Sequence, residues 1–174
     1  MSYHFKSFPH HSYTKEKLAK LGLPAADIKY MTAHGLPVLK DYWFDNVVFF
    51  DEGGIKPLDA PDGVVAVGTL YENHYIAVSD EGVFIIDSAA DSDTPTEADC
   101  LRINSSLELF VRFMSIYCRY MDKYSQPLDN DDEKVARRVV SKLDRKFHRL
   151  DKVALEDENS MWSVLIEEIS YIYI

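Results

Sequence analysis

The sequence predicts an α+β fold, a central antiparallel β-meander packed against helices with further helices at its C-terminal end. Three observations carry that expectation. Residues 64–71, 74–79 and 82–87 are rich in β-branched and aromatic side chains, and each run ends in turn residues. From Leu107 onward, apolar residues including Phe110, Phe113, Met114, Tyr117 and Met121 cover most of a helical circumference, the pattern of a helix buried against a sheet. Two more amphipathic stretches then close the chain.

Taken in order, Thr14 is placed to cap a short helix that turns Leu18 and Leu21 inward and ends at Gly22. The triplets Gly22-Leu23-Pro24 and Gly35-Leu36-Pro37 each read as a helix stop or turn, because proline excludes the preceding residue from the α region. Residues 42–44 and 46–50 read as one extended aromatic segment, closed by Asp51-Glu52-Gly53-Gly54, and residues 56–63 with Pro57 and Pro61 read as a loop. The meander reverses first at Glu72-Asn73, where asparagine supplies a left-handed backbone, and again at Asp80-Glu81-Gly82. Residues 101–103 add a short strand. Ser105 and Glu108 have the spacing of a capping box for the apolar helix, which Gln126-Pro127 is expected to stop. Acids at 129–133 then suit the start of a helix whose stripe Val135, Val139, Leu143, Phe147 and Leu150 opposes a basic face of Lys134, Arg137, Arg138, Lys142, Arg145 and Arg149. A last helix from about Ser160 buries Trp162, Leu165, Ile166 and Ile169. The ending Tyr171-Ile172-Tyr173-Ile174 is apolar enough to require docking, on the domain or in a homo-oligomer.

Composition bounds the function. A chain of 174 residues with 47% hydrophobic content can bury a core as a single domain, expected to span 1–174. The formal net charge of -10, with 29 acids against 19 bases, disfavours a nucleic-acid partner and suits either a basic protein partner or a simply solvated surface. Cys100 and Cys118 are the only cysteines and read as reduced, buried thiols. The sequence shows neither the apolar run of a signal peptide nor the ~20 apolar residues of a membrane span, so a cytoplasmic protein without membrane attachment is expected.

Chemistry-bearing patterns are few. His4, His10 and His11 sit near the N-terminus, but adjacent histidines on an extended chain point apart and no acid or cysteine stands at ligand spacing, so no metal is expected. His74 and Tyr75 would likewise face opposite sides of a strand. No nucleophile elbow, zinc-protease helix, phosphate loop or dinucleotide turn is present, and neither catalytic residues nor a cofactor are expected. The segment between 88 and 100 carries Asp91, Asp93, Glu97 and Asp99 with no Lys or Arg.

Leu21-Gly22-Leu23-Pro24, Gly35-Leu36-Pro37, the run from Gly68-Thr69-Leu70-Tyr71 to Asp87, the helix start Ile103-Asn104-Ser105-Ser106-Leu107-Glu108-Leu109-Phe110 and the helix from Trp162 to Ile169 together resemble the SUKH superfamily. Within it the resemblance is to bacterial immunity proteins, related to yeast cell-wall regulators of the same fold. It implies a small α+β domain that binds and neutralises a cognate toxin, frequently a nuclease or deaminase, without catalysis of its own. Electrostatic matching to a basic toxin then makes Glu72, Asp80, Glu81, Asp87, Asp91, Asp93, Glu97 and Asp99 the candidate contact residues, with the aromatic segment 42–44 as the alternative. Two other classes stay open. One is a small enzyme using His34 and His74 in a pocket, and the other is a scaffold module of the same fold, which a large apolar patch around Trp162 and Tyr173 would favour.

Overall fold

Strand and helix propensities resolve into two layers. In the computed structural model, which describes residues 4–40, 42–44, 46–59, 63–87, 100–129, 133–158 and 160–173, the first half holds a 3-10 turn at His4–Ser7, β1 (His10–His11), α1 (Lys15–Lys20), α2 (Ala25–His34), β2 (Leu36–Pro37), β3 (Val47–Phe49) and β4 (Lys56–Pro57). The meander follows as β5 (Val65–Leu70), β6 (His74–Ser79), β7 (Gly82–Asp87) and β8 (Cys100–Asn104). The helices α3 (Leu107–Asp129), α4 (Glu133–Leu150) and α5 (Met161–Tyr173) complete it, with a 3-10 turn at Val153–Leu155 before α5. The main sheet runs β3-β5-β6-β7-β8, all antiparallel, and β4 pairs with the first half of β5. β1 and β2 form a separate small ladder.

The period of two divides the meander between two faces. Val65, Ile76, Val78, Val83 and Ile103 face the helices and join the main core, whereas Val64, Ala77 and Ile86 form a second cluster on the other face. Both hairpins are where the sequence puts them, with one difference. Leu70 pairs directly with His74, so the first loop is Tyr71-Glu72-Asn73, and its left-handed residues are Tyr71 (φ 52) and Glu72 (φ 63) rather than Asn73. Gly82 closes the second with φ 137, and a Cβ there would stand 2.3 Å from the Asn104 carbonyl oxygen. The approach of β8, as well as the turn, therefore requires glycine.

Several sequence expectations are corrected. Residues 25–34 form α2, for which no helix is expected from the sequence, and it fills the space between the two Gly-Leu-Pro triplets. Residues 42–44 bend instead of extending, which leaves β3 with three residues, and Lys56–Pro57 pairs with β5 instead of remaining loop. Thr14 precedes α1 but does not cap it. Its hydroxyl donates to Glu52 Oε1 at 2.7 Å, while Lys17 Nζ meets Glu52 Oε2 at 2.7 Å, so helix and turn are tied together. The cap of α3 is Ser106, whose Oγ accepts from the Leu109 N–H at 3.3 Å, one residue after the expected Ser105. α3 also runs through Pro127 to Asp129. A proline removes one backbone hydrogen bond, and a helix whose earlier turns are core-packed survives that loss. Cys118 is buried as expected, but Cys100 is only half-buried, and neither is in a disulfide.

Trp162 is the centre of the core. It is fully buried, with ring centroids of Phe113 at 5.2 Å, Phe147 at 5.3 Å, Phe110 at 5.9 Å and Phe44 at 6.0 Å. Its indole Nε1 donates to Asn104 Oδ1 at 2.9 Å, and Asn104 Nδ2 donates to Asp151 Oδ2 at 3.1 Å. Trp162, one of the two residues around which an apolar patch would have favoured assembly, is thus interior. Replacing Trp162 by Phe keeps most of the ring volume but strands the Asn104 oxygen in a dry site, so urea denaturation should show a loss of about 1–3 kcal/mol. Trp162→Ala adds a cavity and should cost about 3–5 kcal/mol.

Candidate partner-binding surface

The large apolar side chains that the fold leaves exposed are Trp43, Val48, Tyr71 and Val164 among the described residues. Three of these four, all but Val48, line one groove of about 300 Å³. Leu70 and Tyr71 at the end of β5, Leu101 of β8 and Tyr117 of α3 form its inner side, and Met161, Val164, Leu165 and Glu168 of α5 form the opposite wall. Residues on α5 at 161, 164, 165 and 168 repeat at three and four, so one helical face lines the groove while Trp162, Ile166 and Ile169 point into the core.

Trp43 is held at the rim by polar contacts. Its Nε1 donates to Asp122 Oδ1 at 2.7 Å, and the Tyr42 hydroxyl donates to Oδ2 of the same carboxylate. Burial, and then that carboxylate, push the Tyr42 phenol above its usual range, so it remains a donor. One α3 carboxylate therefore orients Tyr42 and Trp43, two of the three aromatic residues of the bend. Tyr71 is the most exposed of the set at 66%, and it has a left-handed backbone that tyrosine seldom adopts. An exposed aromatic held in a strained turn beside a groove gains nothing from burial, which is the pattern expected of a contact residue.

The acids anticipated from sequence fall into groups. Glu72 follows Tyr71 directly, and Asp87 pairs across the sheet with His74, at the strand ends beside Leu70. Asp80 and Glu81 are exposed at the other end of β6, ~17 Å away for a strand of this length. Asp91, Asp93, Glu97 and Asp99 lie outside the described residues. The segment that carries them leaves β7 at Asp87 and enters β8 at Cys100, which pairs with Ile86. Its two anchors thus stand at the groove end of the sheet.

The alternative residues separate. His74 Nδ1 lies 2.9 Å from Asn73 Oδ1, whereas Tyr75 on the opposite face accepts from Lys56 Nζ at 3.0 Å. His34 is exposed at the end of α2 against the Tyr30 ring. Among the described residues, neither histidine lines the groove and its acid is Glu168. Among the described residues no group of three or more His, Cys, Asp or Glu could hold a metal. No helix of the described residues is long and apolar enough to cross a membrane.

A buried acid that sequence reasoning did not single out is Asp27, on α2. Its Oδ1 accepts from the Leu107 N–H at 3.3 Å and so caps α3 from a distant part of the chain. Burial pushes its carboxyl up to about 6, opposed by that hydrogen bond and reinforced by Asp80. Because the folded value lies above the ordinary 3.8, folding favours the neutral acid. Its contribution is most favourable below pH 4 and declines as pH rises through about 6. Asp27→Asn retains the accepting oxygen, so at pH 7.5 it should raise the unfolding free energy by on the order of 2 kcal/mol, with the difference from wild type vanishing near pH 3.5. Urea titrations at the two pH values test this directly.

The fold is α+β, with a groove at one end of its main sheet that gathers exposed apolar side chains. The family model described as SUKH-4 immunity protein matches residues 3–168, and the chain belongs to that family. No curated protein and no solved structure matches it.

Proposed function

We propose that this SUKH-4 immunity protein binds a cognate bacterial toxin by placing the groove of Trp43, Tyr71 and Val164 against it. It acts as a non-catalytic cytoplasmic inhibitor and folds as one domain over 1–174. The gathering of exposed apolar side chains at one groove carries this reading, since aromatic anchors in a concave site are what interface centres are made of. Acids supply the charge. Glu168 on the wall and Glu72 and Asp87 beside it, together with Asp91, Asp93, Glu97 and Asp99 from the sequence between β7 and β8, match the basic surface of a toxin that acts on nucleic acid. Asp80 and Glu81, at the far end, are expected to steer the encounter more than to touch the toxin.

The test begins by cross-linking the protein in its host, identifying the toxin and measuring affinity and growth rescue with purified variants. Trp43→Ala should weaken binding by about 2 kcal/mol with little change in melting temperature. Tyr71→Asn should separate the two properties. Relief of the left-handed strain is expected to stabilise the fold by about 0.5–1 kcal/mol, while loss of the ring weakens the complex. Changing Asp91, Asp93 and Glu97 to Lys should slow association and flatten its salt dependence. Normal toxin binding by the groove variants, with loss on reversing Asp80 and Glu81, would move the interface to the other end of the sheet.

A further inference from the structure

The α3–α4 hairpin carries a charge opposite to that of the chain. Against a net charge of -10, α4 alone holds seven Lys and Arg and two acids, and both acids are engaged within the helix, Glu133 by Arg137 and Asp144 by His148 at 3.3 Å. Between α3 and α4 lies a cleft of about 260 Å³ lined by Arg119, Tyr120, Lys123, Tyr124 and Lys142. On α3 the spacing 119/123 and 120/124 sets two cations and two tyrosine rings one turn apart. Lys146, one turn beyond Lys142, holds its ammonium 5.9 Å from the Tyr120 ring centroid, and the Lys123 ammonium is 5.2 Å from that of Tyr124. The two rings lie 6.0 Å apart.

Among the described residues, Arg119, Lys123, Lys142 and Lys146 form no ion pair. The crowding is felt at Lys146, which burial first, and then Arg119, Arg112 and Arg149, push below its usual value. Positive charge is thus gathered in a concavity that no carboxylate among the described residues answers by an ion pair, and the aromatic rings face ammonium groups.

We propose that this cleft binds a nucleoside diphosphate, the pyrophosphate between Arg119, Lys123 and Lys142 and the base against Tyr124. Three points select that chemistry. Several cations converging on one small volume match the compact multiple charge of a phosphate chain better than the single charge of a carboxylate side chain. Tyrosine rings beside the cations offer a stacking face that a bare phosphate or an acidic peptide would not use. The cavity is about the size of the smallest ligand sites, and the acidic character of the remaining surface opposes a long polyanion such as RNA. This inference is independent of the toxin-binding reading, since it uses neither the groove nor the acidic strand ends.

Isothermal titration of the full chain with ADP, inorganic pyrophosphate, hexaglutamate and a single-stranded RNA oligomer at ~50 mM salt tests it. ADP is expected to bind, with Lys142→Glu and Arg119→Gln each weakening it about tenfold or more. Lys20→Glu, an equal change of charge on the exposed face of α1, should alter affinity by no more than about twofold. Tyr124→Leu should weaken ADP while leaving pyrophosphate nearly unchanged. Circular dichroism confirms folding, and Arg119→Gln carries the test should Lys142→Glu fail to fold. The proposal falls if ADP produces no saturable heat, if hexaglutamate or RNA binds more tightly than ADP, or if Lys20→Glu loses as much as Lys142→Glu.

Discussion

Asn104 is the residue on which the arrangement of the layers depends. It ends β8, it is fully buried, and its amide accepts from Trp162 on α5 while donating to Asp151 just after α4. Asp151 also takes the Ser105 N–H at 2.8 Å, so the carboxylate fixes the turn into α3 from the far end of α4. Apolar packing alone would allow three helices to slide on a sheet by part of a turn at small cost, because side chains of similar volume can exchange partners. A buried polar chain does not allow it, since each shifted register leaves a donor or acceptor dry. None is left unsatisfied among the described buried side chains. The same chain sets where α5 presents Met161, Val164, Leu165 and Glu168, and hence the wall of the groove.

The groove itself runs against stability. Tyr71 and Glu72 have left-handed backbones, and Trp43, Tyr71 and Val164 remain partly in water where smaller polar residues would cost nothing. The Asp122 carboxylate is spent on the Trp43 indole and the Tyr42 hydroxyl, two side chains of a bend that no strand supports. Locally unfavourable choices concentrated at one surface are the mark of a site shaped for something outside the chain.

The meander was readable because its information is local. Alternation with a period of two, the short polar turn at Asp80-Glu81 and a glycine at position 82 all lie within a few residues of the strands they specify. The stripe of α4 was equally plain, since Val139, Leu143 and Phe147 are all fully buried. α2 was not readable. Its buried set includes Asp27, whose place is explained only by a backbone N–H of α3 eighty residues later. The α3 cap falls at Ser106 in place of Ser105, whose backbone N–H is held by Asp151 from the far end of α4, a contact that no local pattern shows. Of the groove, only the aromatic segment 42–44 was singled out from sequence, and its neighbours in the site were not. Trp43, Tyr71 and Val164 belong to a bend, a hairpin and a helix, and only closure of the layers brings them together. Acidity was legible as a composition, but the division of Glu72 and Asp87 from Asp80 and Glu81 appears only once the register is known.

The stretch of α3 from Tyr117 to Tyr124 serves both surfaces. Tyr117 lines the groove and Asp122 orients Trp43 at its rim, while Arg119, Tyr120, Lys123 and Tyr124 line the basic cleft. Residues 118 and 122 share one side of a helix and 119 and 123 the next, about 100° further round, so the two sites stand on adjoining faces of a single rigid element. Coupling between sites requires an element with two arrangements that both ligands bias. A core-packed helix anchored through Phe113 stacked on Phe147 at 4.0 Å is a poor candidate for one. What could pass between the two proposed sites is therefore charge. On both proposals together, an anion beside Lys123 and a basic partner above Asp122 would favour each other, and that attraction would weaken as salt rises.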